Sequence, residues 1–145
     1  MIEKEFFILY KLIHLMIKKG KKTKAINVFL KLLKNLNNNK LGIPATEVIS
    51  KSLTNAKPLL HVQKTRKSSR VFYLPKLVST EQKINIALHW LMKSVSTRKE
   101  RKLEDRLTNE ILDCFLGKGS TIAKKQSLYE LILVNRPFLH LLRYK

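Results

Sequence analysis

The chain has 145 residues, of which 30 are Lys or Arg and only 10 are Asp or Glu, a formal net charge of +20 at pH 7. An apolar content of 44% suits a folded domain and excludes a disordered tail. The length fits one domain over 1-145 with one core, and a lone Cys114 excludes a disulfide framework and a Cys-based zinc site. So basic a chain repels itself unless a polyanion surrounds it, which points first to nucleic acid and second to an anionic membrane.

In chain order, Glu5 to Lys19 reads as a helix closed by Gly20, with Lys18 and Lys19 suiting its C-terminal dipole. Its apolar run, Phe6 to Ile17, is broken by Lys11 and His14 and is shorter than the roughly 20 residues that span a bilayer. With two acids at the start and no small-residue cleavage site, neither a signal nor a transit peptide is expected. A core helix is the expectation and an interfacial membrane helix the alternative. Ala25, Val28, Phe29, Leu32, Leu33 and Leu36 recur at three- and four-residue spacing, which predicts a second amphipathic helix. Thr46 is a candidate cap for a third, which must stop before Pro58.

The period then changes. "LLHVQ" and "RVFYL" are short runs of β-formers joined by "KTRKSS", a hairpin arm at about 58-76 bracketed by Pro58 and Pro75. A lone two-stranded hairpin is marginal, so it must rest on the helices or on a partner. Ser79 and Gln82 form a capping box before a helix whose buried stripe is Ile84, Ala87, Leu88, Leu91 and Val95. Trp90 is expected in the core. "RKERK" interrupts at 98–102, and the next helix carries Leu103, Leu107, Ile111, Cys114 and Phe115. Gly117 and Gly119 read as helix stop and turn, Ser127 with Glu130 as a capping box opening a last helix, and Pro137 as its end. The fold expected is mainly α: about six helices with a protruding two-stranded β-hairpin.

No constellation for catalysis stands out. Half of the carboxylates, Glu100, Glu104, Asp105, Glu110 and Asp113, lie in one helical region, where Arg101–Asp105 and Arg106–Glu110 are spaced as helix-surface ion pairs. His14, His61, His89 and His140 are scattered, so no metal and no cofactor is expected, and no catalytic residue. "GKGST" lacks the spaced first Gly of a phosphate loop and follows a helix, not a strand.

The cations are clustered. Lys18, Lys19, Lys21, Lys22 and Lys24 surround a helix–helix turn, and the hairpin tip offers Lys64, Arg66, Lys67 and Arg70. Arg98 opens a basic loop, "GKGSTIAKKQ" adds Lys118, Lys124 and Lys125, and Arg136 lies beyond the last helix. Turns and helix ends let flexible side chains reach phosphates, and Lys outnumbers Arg, so phosphate contact should outweigh base reading. A basic hairpin suits irregular RNA shapes. These residues are the candidate RNA-binding set. A general architectural DNA-binding helical protein is the alternative.

Several motifs resemble the universal small-subunit ribosomal protein seven family of bacteria and organelles. The family's "GKKSTA" turn appears as Gly20-Lys21-Lys22-Thr23-Lys24-Ala25, and its entry to the hairpin as Asn55-Ala56-Lys57-Pro58. Its hairpin spans Val62 to Pro75, its "ALAxRWL" is Ile86 to Leu91, and its "RLANELxDA" is Arg106 to Cys114. A thinner match follows at Lys124, Lys125, Tyr129, Leu131, Asn135, Phe138 and His140. The family's Gly-Gly hairpin turn is Ser68-Ser69 here, its first hairpin Arg is Thr65, and Pro137 replaces a helical Ala. The "MIEKEFF" start stands where relatives carry a basic tail, and the chain stops just after the family's "HYRW" region.

The resemblance implies six helices with a β-ribbon arm and a structural, non-enzymatic role in the head of the small ribosomal subunit. It implies binding to the 3′ major domain of small-subunit rRNA, neighbouring head proteins, and an arm reaching toward exit-site tRNA and mRNA, with no membrane. An abundance of Lys, Asn, Ile, Leu and Phe beside only 4 Gly suggests an AT-rich organelle genome, hence the mitochondrion, with a bacterial-type cytoplasm or a plastid as alternatives.

Overall fold

Among the described residues, the helical periodicities close into six helices around one core, with one ribbon inserted between the third and fourth. A computed structural model describes residues 2–38, 42–67 and 69–138; the side chains of residues 2–5, Lys67 and Arg70 lie outside that description. The elements run α1 (Ile2–Met16), α2 (Lys22–Asn38), α3 (Ala45–Ala56), β1 (Leu60–Lys67), β2 (Arg70–Leu77), α4 (Thr80–Thr97), α5 (Leu103–Phe115) and α6 (Ser120–Val134).

The core is built from the stripes that spacing predicts. Ile8, Leu12 and Met16 of α1 meet Ala25, Phe29, Leu32 and Leu36 of α2 and Val48, Ile49 and Leu53 of α3. Ile84, Ala87, Leu88, Leu91 and Val95 of α4 and Leu107, Ile111 and Cys114 of α5 complete it. Each fully buried Leu or Ile contributes roughly 1.5–3 kcal/mol relative to exposure. Helix α5 lies at the centre, packed on α2, α3, α4 and α6.

Helix ends follow local chemistry. The Ser79 hydroxyl accepts from the Gln82 N–H and the Gln82 side chain accepts from the Ser79 N–H, so the expected capping box opens α4. At the end of α5 the Lys118 N–H reaches the Asp113 carbonyl (2.8 Å) and the Gly117 N–H reaches the Cys114 carbonyl (3.1 Å). That pattern needs a left-handed residue, and Gly117 supplies it at φ 73°. Chain direction then reverses at Gly119, φ 92° and ψ 172°, a conformation open essentially to glycine alone.

Four expectations change. α3 begins at Ala45 with Pro44 as its cap residue, and Thr46 lies inside it. Pro has its φ preset near the helical value, which makes it a natural helix entry. α6 begins at Ser120, so Ser127 is mid-helix, its hydroxyl donating to the Ala123 carbonyl (3.0 Å). A Ser with Glu three residues on also fits the interior of a helix, where positions three apart share a face. Pro75 does not bracket the arm but pairs with Val62 inside β2. A two-stranded ribbon has two edges, and edges tolerate Pro. Trp90 is half-buried rather than in the core. It follows the stripe residue Ala87 by three positions but precedes Leu91 by one, about 100° around the helix.

The ribbon pairs antiparallel from Leu60↔Leu77 to Lys67↔Arg70. Its base rests on the helices, as a two-stranded sheet requires. The Leu59 N–H donates to the Tyr129 hydroxyl of α6 (3.1 Å), Leu74 and Val78 are buried, and Phe72 meets Phe138 edge-on at 5.2 Å. The tip residue Ser68 lies outside the described residues.

Candidate nucleic-acid interface

The positive residues divide into those that face solvent and those that brace the fold. Arg98 is of the second kind. Its guanidinium donates from Nε to Glu110 Oε2 (2.7 Å), from one terminal nitrogen to Glu100 Oε1 (3.1 Å), and from the other to Asp113 Oδ2. Burial by itself would lower its pKa, but the three carboxylate hydrogen bonds and the Coulomb attraction of Glu110 raise it. Glu110, fully buried, is further tied to α6 by the Thr121 N–H (3.0 Å) and hydroxyl (2.7 Å). Glu110 therefore binds across helices and makes no helix-surface pair with Arg106; Asp105 likewise accepts from Asn35 (3.4 Å), not Arg101.

Lys124 and Lys125 are also engaged inside. Lys124 Nζ donates to Ser94 Oγ (2.6 Å) and the Trp90 carbonyl (3.4 Å), and burial depresses its pKa, offset in part by Glu110. Lys125 Nζ donates to the Asn55 carbonyl (2.6 Å). The Asn55 amide in turn donates to the Cys114 and Phe115 carbonyls (3.1 and 3.2 Å), which locks the root of the arm onto α5 and α6. Sequence spacing placed these three cations at loops and helix ends; only packing shows that each also makes hydrogen bonds within the fold.

The other cluster residues are free of such ties. Lys18, Lys19, Lys21, Lys22 and Lys24 are all exposed around the α1–α2 turn, where Lys19 (φ 52°) and Gly20 (φ 71°) take left-handed conformations. Among the described residues no ion pair involves any of them. On the ribbon, Lys64 stands opposite Tyr73 and Arg66 opposite Val71. Side chains alternate across a strand, so one face carries both cations beside the half-exposed Tyr73 and Val71. The Lys67 and Arg70 side chains lie outside the described ones. Lys118 is exposed at the α5–α6 turn, and Arg136 is exposed at a crevice lined by Leu60, Pro75, Leu77, Ile132 and Leu133.

A concavity adjoins the α1–α2 turn. A groove of about 850 Å³ runs between that turn, α4 and α5. Lys18, Lys21 and Lys24 enter it from the turn, His89, Trp90 and Lys93 from α4, and Arg106 from α5. Lys93, His89 and Arg106 were not in the candidate set. The spacing of His89 and Lys93, one helical turn apart on α4, was the available signal; Arg106 was hidden by its apparent pairing with Glu110. Groups of three or more His, Cys, Asp or Glu placed to hold a metal ion are absent among the described residues. No helix among them is long and apolar enough to cross a membrane.

The profile of the family described as "Ribosomal protein S7p/S5e" matches residues 2–136. The chain is 32% identical over 130 residues to "Small ribosomal subunit protein uS7" of Citrifermentans bemidjiense, covering 90% of this chain and 83% of that one. It is equally similar, with the same coverage, to the protein of that name from Koribacter versatilis, and 30% identical to that from Geotalea uraniireducens. These three relatives are bacterial. A six-helix body with a basic two-stranded arm, matched along nearly its whole described length, belongs to the ribosomal protein S7p/S5e family.

Proposed function

We propose that this protein is a structural constituent of the small ribosomal subunit that binds the 3′ major domain of small-subunit rRNA and helps assemble the subunit head. The observation that carries the reading is the Lys18–Lys24 turn: five exposed lysines with no carboxylate partner among the described residues, opening onto a basic groove. Unpaired surface lysines bind phosphates, and each phosphate neutralised releases condensed counterions. The exposed Lys64 and Arg66 on the ribbon and Lys118 at the α5–α6 turn extend the surface. Arg98, Lys124 and Lys125 hold the scaffold that presents it.

The arm's reach toward exit-site tRNA and mRNA is a finer part of the proposal, supported by the family resemblance of Val62 to Pro75. So is a mitochondrial ribosome as the home of this chain, supported by its Lys- and Asn-rich composition. Tagging the chain in its source organism and sedimenting ribosomes from separated compartments tests the latter.

Binding is tested with a 3′-domain rRNA fragment over a salt series, in competition with duplex DNA. Reversing Lys21, Lys22 and Lys24 to Glu should cut affinity sharply and reduce the salt slope by about three, roughly one per lysine. Unchanged affinity removes that cluster from the interface. Duplex DNA competing as well as the rRNA fragment would favour an architectural DNA-binding role instead.

A further inference from the structure

The groove at the α1–α2 turn combines three properties. Its lining has an apolar share from Leu15, Met16, Val28 and Met92 together with the half-buried Trp90. Five of its residues, Lys18, Lys21, Lys24, Lys93 and Arg106, are cationic, and no carboxylate lines it. Arg106 Nε is buried and has no hydrogen-bond partner. A buried donor without a partner is a defect that native proteins rarely keep unless something else satisfies it.

We propose that this groove receives one unstacked nucleotide of RNA, with its base against Trp90 and its phosphate held by Arg106 and the lysines of the α1–α2 turn. The inference deepens the rRNA-binding reading and rests on it. A purely apolar groove would suit a partner side chain, and a purely basic one a phosphate alone. An aromatic face beside a cationic rim suits a ligand that has both a π-surface and a phosphate. The volume, about 850 Å³, lies in the range of sites that enclose small organic ligands, roughly 300–1,000 Å³. RNA provides such groups at bulges and junctions, where bases leave the stack.

Trp90 is the only tryptophan in the chain, so its fluorescence reports on the groove without a label. The full chain is titrated with a 3′-domain rRNA fragment, following RNA anisotropy for affinity and Trp90 emission for the groove. Emission should change along the same isotherm, and acrylamide should lose access to the indole. Trp90→Ala should weaken binding about tenfold, within the range alanine substitution gives for a stacked base. Trp90→Phe should retain most of the affinity, and Arg106→Gln should reduce both affinity and the emission change. Urea unfolding of each variant separates loss of binding from loss of fold.

RNA binding with unchanged emission and unchanged acrylamide access in the wild-type chain overturns the inference and leaves the rRNA reading standing. No binding of the fragment overturns both. A polyglutamate probe that shifts Trp90 emission as strongly as RNA does would overturn the nucleotide assignment in favour of an acidic peptide.

Discussion

Replacing Arg98 with Met tests whether this residue braces the fold or meets RNA. The change leaves Glu110 Oε2 without its 2.7 Å partner, and the Glu110 side chain is only 1% exposed, so water cannot take over. Oε1 keeps its two bonds from Thr121. Removing one member of a buried ion pair costs about 3–5 kcal/mol. Arg98 is itself 20% exposed and Asp113 41%, so the lower end applies, about 3 kcal/mol. With an unfolding entropy of about 2.1 cal/mol/K per residue, this chain should lose roughly 10 °C in Tm. Urea unfolding followed by helical circular dichroism measures the loss. Adding Glu110→Gln should recover part of it, because the uncompensated charge is gone. RNA affinity should change only as one surface charge would change it. A loss below about 1 kcal/mol together with a large fall in RNA affinity would make Arg98 a phosphate ligand and refute the bracing role.

Further outcomes follow from the same structure. Deleting Lys64 to Arg70 should leave the helical dichroism and cooperative unfolding of the body intact, because the anchoring residues Leu59, Phe72 and Leu74 remain; a chain that then fails to fold would make the arm a structural element. Gly119→Ala should destabilise by about 1–3 kcal/mol, since the position needs a glycine-only backbone and a new Cβ would lie 2.9 Å from Asp113 Cβ. Urea midpoints read that loss, and an unchanged midpoint would contradict the geometry. Burial pushes the Cys114 thiol up to about 11 from its ordinary 9.0, ahead of the opposing Thr121 hydrogen bond. A raised folded pKa means that the thiol's stabilising contribution is complete below 9.0 and is lost as pH climbs through 11. Native Cys114 should therefore resist iodoacetamide at pH 8 and react fully in urea. Rapid labelling of the native chain would show that α5 opens locally.

Stripes along single helices were legible because each is a local pattern. Leu88, Leu91 and Val95 needed only the 3.6-residue period, and Ser79 with Gln82 only a three-residue offset. Local offsets also misled. Ser127 and Glu130 satisfy the capping-box spacing from inside α6, and Arg106 and Glu110 satisfy the ion-pair spacing although Glu110 turns to Arg98 and Thr121. A one-dimensional pattern lists what a residue could reach on its own element. It does not say which competitor from another element arrives first.

By itself the sequence determined the helical class, the position of the ribbon, the apolar faces and the excess of positive charge, since each is a property of neighbours along the chain. Which cations are also engaged in hydrogen bonds and ion pairs within the fold was decided only by the tertiary structure. Burial next to α5 commits Arg98 to three carboxylates, Lys124 to Ser94 and Lys125 to the Asn55 carbonyl. Among the described residues, no acid forms an ion pair with the exposed turn lysines. The groove joining Trp90 to Arg106 exists only once α4 and α5 are packed beside the α1–α2 turn, bringing Trp90 together with Arg106, sixteen positions later, and with Lys18, seventy-two positions earlier.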